Sequence, residues 1–229
     1  MVVLWSTLIW AIALFFSTVI ADGVQTALHV ESGGQYARVL LPLLVATFAS
    51  VVVPRGIAVA VLGIVLHERV PVGRWIAYSI GGIVAGAFVI AVLAIAVGGA
   101  LLEGSFAFAY GDASVVARGI VLASWVLGEV AFGGALGAMQ SAALSAEGSP
   151  RTGRLTVASL AGWGAYALVG RAFLLVYDGS MPLEVIAALV LGAGLLPGLV
   201  TGLALQRIIR PETGASEEIR GVPETVRPV

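Results

Sequence analysis

Six long apolar runs, each bounded by a polar stretch, set the pattern of this chain. They cover about residues 2–21, 38–66, 75–100, 118–144, 155–177 and 183–209. Each meets or exceeds the roughly 20 residues with which a helix crosses the hydrocarbon core of a bilayer. None shows the ten-residue alternation of a transmembrane barrel strand. The pattern predicts an all-α polytopic transmembrane helix bundle of six spans, one domain over residues 1–210, with residues 211–229 as a flexible charged tail. Residues 22–36 and 101–117 are expected to be loops, residues 67–74 and 145–154 tight turns between antiparallel neighbours, and residues 178–182 a short turn.

Two runs need a decision. The first ends in Val19-Ile20-Ala21, which could pass for a signal-peptidase site, but it lacks a cationic start and is long for a signal peptide, so it is expected to be a retained helix. The second contains Pro54-Arg55. As one helix it would be about 43 Å long, well over the ~30 Å core. Splitting it at Pro54 leaves two pieces too short to span, so a single tilted or kinked helix is expected in preference to a re-entrant pair. Pro54 has no N–H and leaves the Ser50 carbonyl without its helical donor.

Composition fixes the solvent. The chain of 229 residues is 59% hydrophobic and 11% charged, where soluble domains carry about 25% charged residues. A mean hydropathy of +1.05 would demand a core larger than this chain could surround. The formal net charge of −1 offers no basic field for nucleic acid. Cysteine is absent, which excludes disulfides and thiolate metal sites, and all 12 basic residues are arginine, which excludes a lysine Schiff base. His29 and His67 fall on opposite sides of the expected membrane, so neither a metal nor a haem is expected, and no cofactor is called for.

Arginine placement gives the orientation. Arg69, Arg74, Arg151, Arg154, Arg207, Arg210, Arg220 and Arg227 collect at one end, whereas Asp22, Glu31, Glu103, Asp112, Asp178 and Glu184 collect at the other. Both termini are therefore expected in the cytoplasm.

A shift of 80 positions (153 − 73) lays the second and third runs on the fourth and fifth without a gap. Ala37-Arg38 falls on Ala117-Arg118, Gly73-Arg74 on Gly153-Arg154, Ser79 on Ser159 and Gly82 on Gly162. This predicts an internal duplication, residues 37–116 and 117–196, of a two-helix hairpin. With an even number of helices between copies the repeats would be parallel. Gly133-x3-Gly137-x2-Gln140, an arginine-bearing turn and Ser159-x2-Gly162-Trp163 resemble a hairpin motif that recurs in multi-spanning bacterial membrane proteins. That resemblance implies a fold and no activity; the location expected for the chain is the bacterial inner membrane.

The charged residues inside the runs are the candidate site. Glu129 and Arg171 lie equally far from Pro150, so antiparallel packing would set them at one height. They are expected to pair, either as a gating or binding pair or as a pin between two helices; Arg171 could also snorkel to the headgroups. Arg55 needs a carbonyl, water or carboxylate, as a wall of a wet cavity or by reaching the interface. Gly133, Gly137 and Gln140, Gly194, Gly198 and Gly202, and Gly82 with Gly86 form small-residue ladders for close helix packing, inside the chain or on a dimer face. No nucleophile elbow, phosphate loop or paired-carboxylate motif is present, so no enzyme is expected, an intramembrane enzyme being the distant third reading. The first is a small transporter or channel-like module and the second a helix-packing subunit of a larger complex. Expected partners are membrane lipids, with further copies or partner subunits in the second case.

Overall fold

The computed structural model describes residues 1–32, 36–109, 115–145, 153–172 and 182–209. Six helices account for nearly all of them: α1 Val2–Ser32, α2 Tyr36–Val65, α3 Val72–Ala109, α4 Val115–Ser145, α5 Gly153–Arg171 and α6 Leu183–Ile209. Each helix packs on its neighbour in sequence, and α1 packs on α6. The up-and-down hairpins thereby close into a ring.

Trp75, Trp163, Phe132, Leu14, Ile83 and Leu136 are fully buried inside this ring. Leu4, Ile57, Phe88, Leu127, Val157 and Leu203, one from each helix, are exposed on its outside. Helices apolar both inward and outward are those that water does not solvate. Five of the six, all but α5, are long and apolar enough to cross a membrane. Within its described 19 residues α5 buries Leu155, Ser159, Gly162, Trp163, Gly164, Tyr166, Ala167 and Gly170 between α4 and α6. A helix flanked so closely presents only a narrow stripe to lipid, which is why its composition can be more polar. The chain is a multi-pass helical membrane protein.

Two expected loops are corrected. Residues 22–32 continue α1, so His29 and Glu31 stand on a helix, and residues 101–109 continue α3 through Glu103. At 1.5 Å per residue α1 is about 46 Å long and α3 about 57 Å, so both outreach a ~30 Å core. The change to polar residues marked where lipid stops, whereas backbone hydrogen bonding carried the helix on. The tight turn after α2 is present, with the Val70 N–H donating to the Leu66 carbonyl and the Trp75 N–H, in α3, to the Pro71 carbonyl. Residues 110–114, 146–152 and 173–181 and the tail from residue 210, with the readings that fall on them, lie outside the described residues.

Helix α2 runs unbroken through Pro54. The carbonyl that proline frees is used: the Ser17 hydroxyl of α1 donates to the Ser50 carbonyl at 2.6 Å. An unsatisfied carbonyl in hydrocarbon costs several kcal/mol, so the Ser17 bond lets the helix keep its proline.

The glycine ladders are used inside the chain. At Gly137 a Cβ would lie 2.6 Å from Ser159 Cβ and 2.9 Å from Thr156 Cα. At Gly202 it would lie 3.1 Å from Val3 Cα, and at Gly194 3.2 Å from Ala11 Cα. At Gly137 the approach leaves no room for a side chain, whereas at Gly194 and Gly202 a Cβ is accommodated once the facing helix gives by a few tenths of an ångström. Across the α4–α5 seam the Ser141 and Thr156 hydroxyls add a 3.0 Å hydrogen bond, and Gln140 is buried beside it.

Burial follows the 80-residue shift in one half of the proposed repeat. Trp75, Ser79, Gly82, Ile83 and Ala87 are buried, as are Leu155, Ser159, Gly162, Trp163 and Ala167. In α2 and α4 the gapless frame fails, because it would lay buried Val59 and Leu62 on exposed Met139 and Ala142. Their faces coincide instead at 78 (129 − 51): Val51 with Glu129, Arg55 with Gly133, Ala58 with Leu136, Leu62 with Gln140. Two residues turn a helix by about 200°, so the two frames present different faces.

Candidate functional site

The site is the place where charge enters the ring. Arg55 reaches it from α2 and Glu129 from α4. Counted from the turns below, the Arg55 Cα stands about 18 Å up and the Glu129 Cα about 24 Å. The long arginine side chain leans toward the N-terminus of its own helix and makes up the difference. Arg55 Nη2 donates to Glu129 Oε1 at 2.8 Å, with both side chains 3% exposed.

Aromatic rings wall the pair. The Arg55 guanidinium lies 4.2 Å from the Phe132 ring centroid and 4.7 Å from that of Trp163. Phe132 stands one helical turn beyond Glu129, so a single face of α4 supplies the carboxylate and one ring. Trp163 comes from α5 and packs edge to face with Phe132 at 4.7 Å, with Trp10 of α1 at 5.1 Å and with Tyr166 at 6.0 Å. Cation–π contacts in a desolvated setting contribute about 2 kcal/mol or more, which offsets part of the cost of taking the charges out of water.

The hydrogen bonding at the pair is incomplete. Among the described residues, Glu129 accepts through Oε1 only, with no donor to Oε2, and Arg55 has no acceptor for Nε or Nη1. A guanidinium has five N–H donors and an ionised carboxylate about four lone-pair sites. A pair selected only to pin helices gains most from a bidentate, fully bonded geometry. Here three buried polar atoms of the pair make no hydrogen bond to any described residue.

Arg171 does not join this pair, contrary to the expectation that it would be the partner of Glu129. It lies at the end of α5, about 27 Å above the start of that helix, and its guanidinium stacks 4.9 Å from the Trp125 centroid on α4. Equal distance from the turn did set Arg171 and Glu129 at similar heights. Rotation about the helix axes, which spacing alone does not reveal, aimed Glu129 inward at Arg55 and left Arg171 half-buried. One signal in the sequence is consistent with the true pairing: Arg55 sits near the middle of its apolar run, where a lone arginine needs an acceptor, a carboxylate among them. The aromatic walls were not foreseen beyond Trp163, which had appeared only as part of a motif.

Comparison with known proteins finds no matching family model, no similar curated protein and no similar solved structure. The site is therefore read from its own chemistry.

Proposed function

We propose that this chain is a six-span module of the plasma membrane, termini in the cytoplasm, that passes a small solute carrying an anionic group through its ring, in an occluded state here. The observation that carries the proposal is the buried, one-point Arg55–Glu129 contact, with Nε, Nη1 and Oε2 unbonded among the described residues. Ionisable residues at membrane depth are costly and rare, and they mark solute and ion pathways in many membrane proteins. A carboxylate or phosphate group, or water that travels with it, would complete the hydrogen bonds of Arg55. In this reading α5 is the sixth span, the two hairpins are copies of one ancestral unit, and no step of catalysis is involved. The α3–α5 burial match supports the duplication, with two residues gained or lost in a turn. Glycine ladders spent on internal seams support a self-contained bundle over a subunit that docks through those faces.

The absence of cysteine makes the test clean. Ala58 stands one turn from Arg55 on the buried face of α2, and Ile57 points outward. A membrane-impermeant thiol reagent is expected to modify an Ala58→Cys variant in intact vesicles at a measurable rate, because the ring opens to water during its cycle. Ile57→Cys, in lipid, should stay unmodified, and His67→Cys, on the exposed cytoplasmic turn, should react fast in inside-out vesicles. If Ala58→Cys is as inert as Ile57→Cys from both sides of the membrane, the ring does not open and the transport reading fails.

A further inference from the structure

Outside the central site, a groove of about 520 Å³ runs between α5 and α6 at the end of the bundle where the arginines collect. Arg154, in the first turn of α5, and Arg207, in the last turn of α6, stand at its mouth. Below them its walls are apolar, among them Val157, Ala158, Ala161 and Val200. The small side chains of Ala158 and Ala161 on α5 leave the space between the two helices' outer surfaces unfilled, which creates the trough. From Gly153 to Ala161 it is about 12 Å long, close to the depth of one leaflet, half of a ~30 Å core.

We infer that this groove is a binding site for an anionic phospholipid of the cytoplasmic leaflet. The depth matches one set of acyl chains, and two like charges face the headgroup level. Among the described residues, no acidic side chain lines the groove to neutralise them. Any lipid will fill an apolar trough, but only an anionic headgroup balances two arginines, and basic clefts between spanning helices at the cytoplasmic side have this preference. The apolar walls exclude a free phosphate ion as the occupant, because it would bond only at the mouth. This inference is independent of whether the central pair handles a solute.

The test is lipid retention. The full-length protein is reconstituted in nanodiscs with equal amounts of phosphatidylglycerol and phosphatidylcholine of matched chains, released into mild detergent, and weighed with its retained lipid by native mass spectrometry. The natural sequence should keep phosphatidylglycerol in preference. Arg154→Gln with Arg207→Gln should lose the preference on the order of twenty-fold, and either change alone about five-fold. Arg69→Gln with Arg74→Gln, which removes as much charge from exposed positions near the neighbouring turn, should leave it intact and controls for general surface charge. Equal retention of the two lipids overturns the proposal, as does an equal loss in the Arg69/Arg74 control. So does a gain in retention on replacing Glu217 and Glu218 of the tail by glutamine, which would mean that the tail fills the groove. Unchanged thermal melting of the groove variants separates loss of the site from loss of the fold.

Discussion

Replacing Glu129 by leucine is expected to destabilise the bundle by about 3–5 kcal/mol, and the second change Arg55→Met is expected to restore most of it. The first substitution leaves the Arg55 guanidinium buried between Phe132 and Trp163 with no counter-charge, and an uncompensated buried charge has a cost of this size. The second removes the charge and fills the space with an apolar chain of similar length, which in other buried pairs is neutral or stabilising. Arg55→Met alone should cost less than Glu129→Leu, because a stranded carboxylic acid can take up a proton whereas a guanidinium cannot lose one. The measurement is reversible unfolding of all four proteins in mixed micelles. Additivity of the two single changes would mean that the side chains do not interact. If the double variant is stable and also inactive in the thiol-accessibility sense, with Ala58→Cys sealed, the pair is held for function and not for folding.

The second large effect belongs to the seam that closes the ring. At Gly198 a Cβ would lie 2.5 Å from Thr7 Cα and would collide with the Ser6 carbonyl oxygen. Both obstacles are backbone, so no rotamer change relieves them. Gly198→Ala is expected to cost about 1–3 kcal/mol, the range for overpacking in a close-packed interior, and Gly198→Val more. Gly192 lies on the same helix with nothing near its Cβ position. Gly192→Ala should be neutral or stabilising by up to about 1 kcal/mol, the helix-propensity difference. Equal effects at the two positions would show that α1 and α6 do not approach as described.

Much of this was legible in the sequence and some was not, for identifiable reasons. Apolar runs marked the membrane-spanning part of each helix, and α6 begins at Leu183, where its run begins. The same signal misplaced the ends of α1 and α3, because a helix does not stop where its solvent changes. Pro54 pointed to a freed carbonyl at Ser50, but not to Ser17 as its donor, which depends on how α1 lies against α2. Arg55, Glu129 and Arg171 were recognisable by depth, since charge inside an apolar run is costly. Which of them would meet was not, because pairing depends on rotation about each helix axis, and a two-residue difference turns a face through about 200°. That rotation is also why the 80-residue frame holds for α3 and α5 and fails for α2 and α4.

Everything at the axis of the ring depends on α1 meeting α6. If that seam were open, Trp10 would not cover Trp163, and lipid could reach the charge pair. Ser6 and Gly202 face each other across it, with Gly202's Cβ position 3.1 Å from Ser6 Cβ, within a few tenths of an ångström of the disulfide range of about 3.5–4.5 Å. The chain has no cysteine of its own, so a Ser6→Cys, Gly202→Cys protein has a single bond to form. Mild oxidation in native membranes should convert it almost completely to a faster-migrating monomer that reverts on reduction. Two thiols that remain separately reactive toward a lipid-soluble maleimide under the same oxidation would contradict the closed ring.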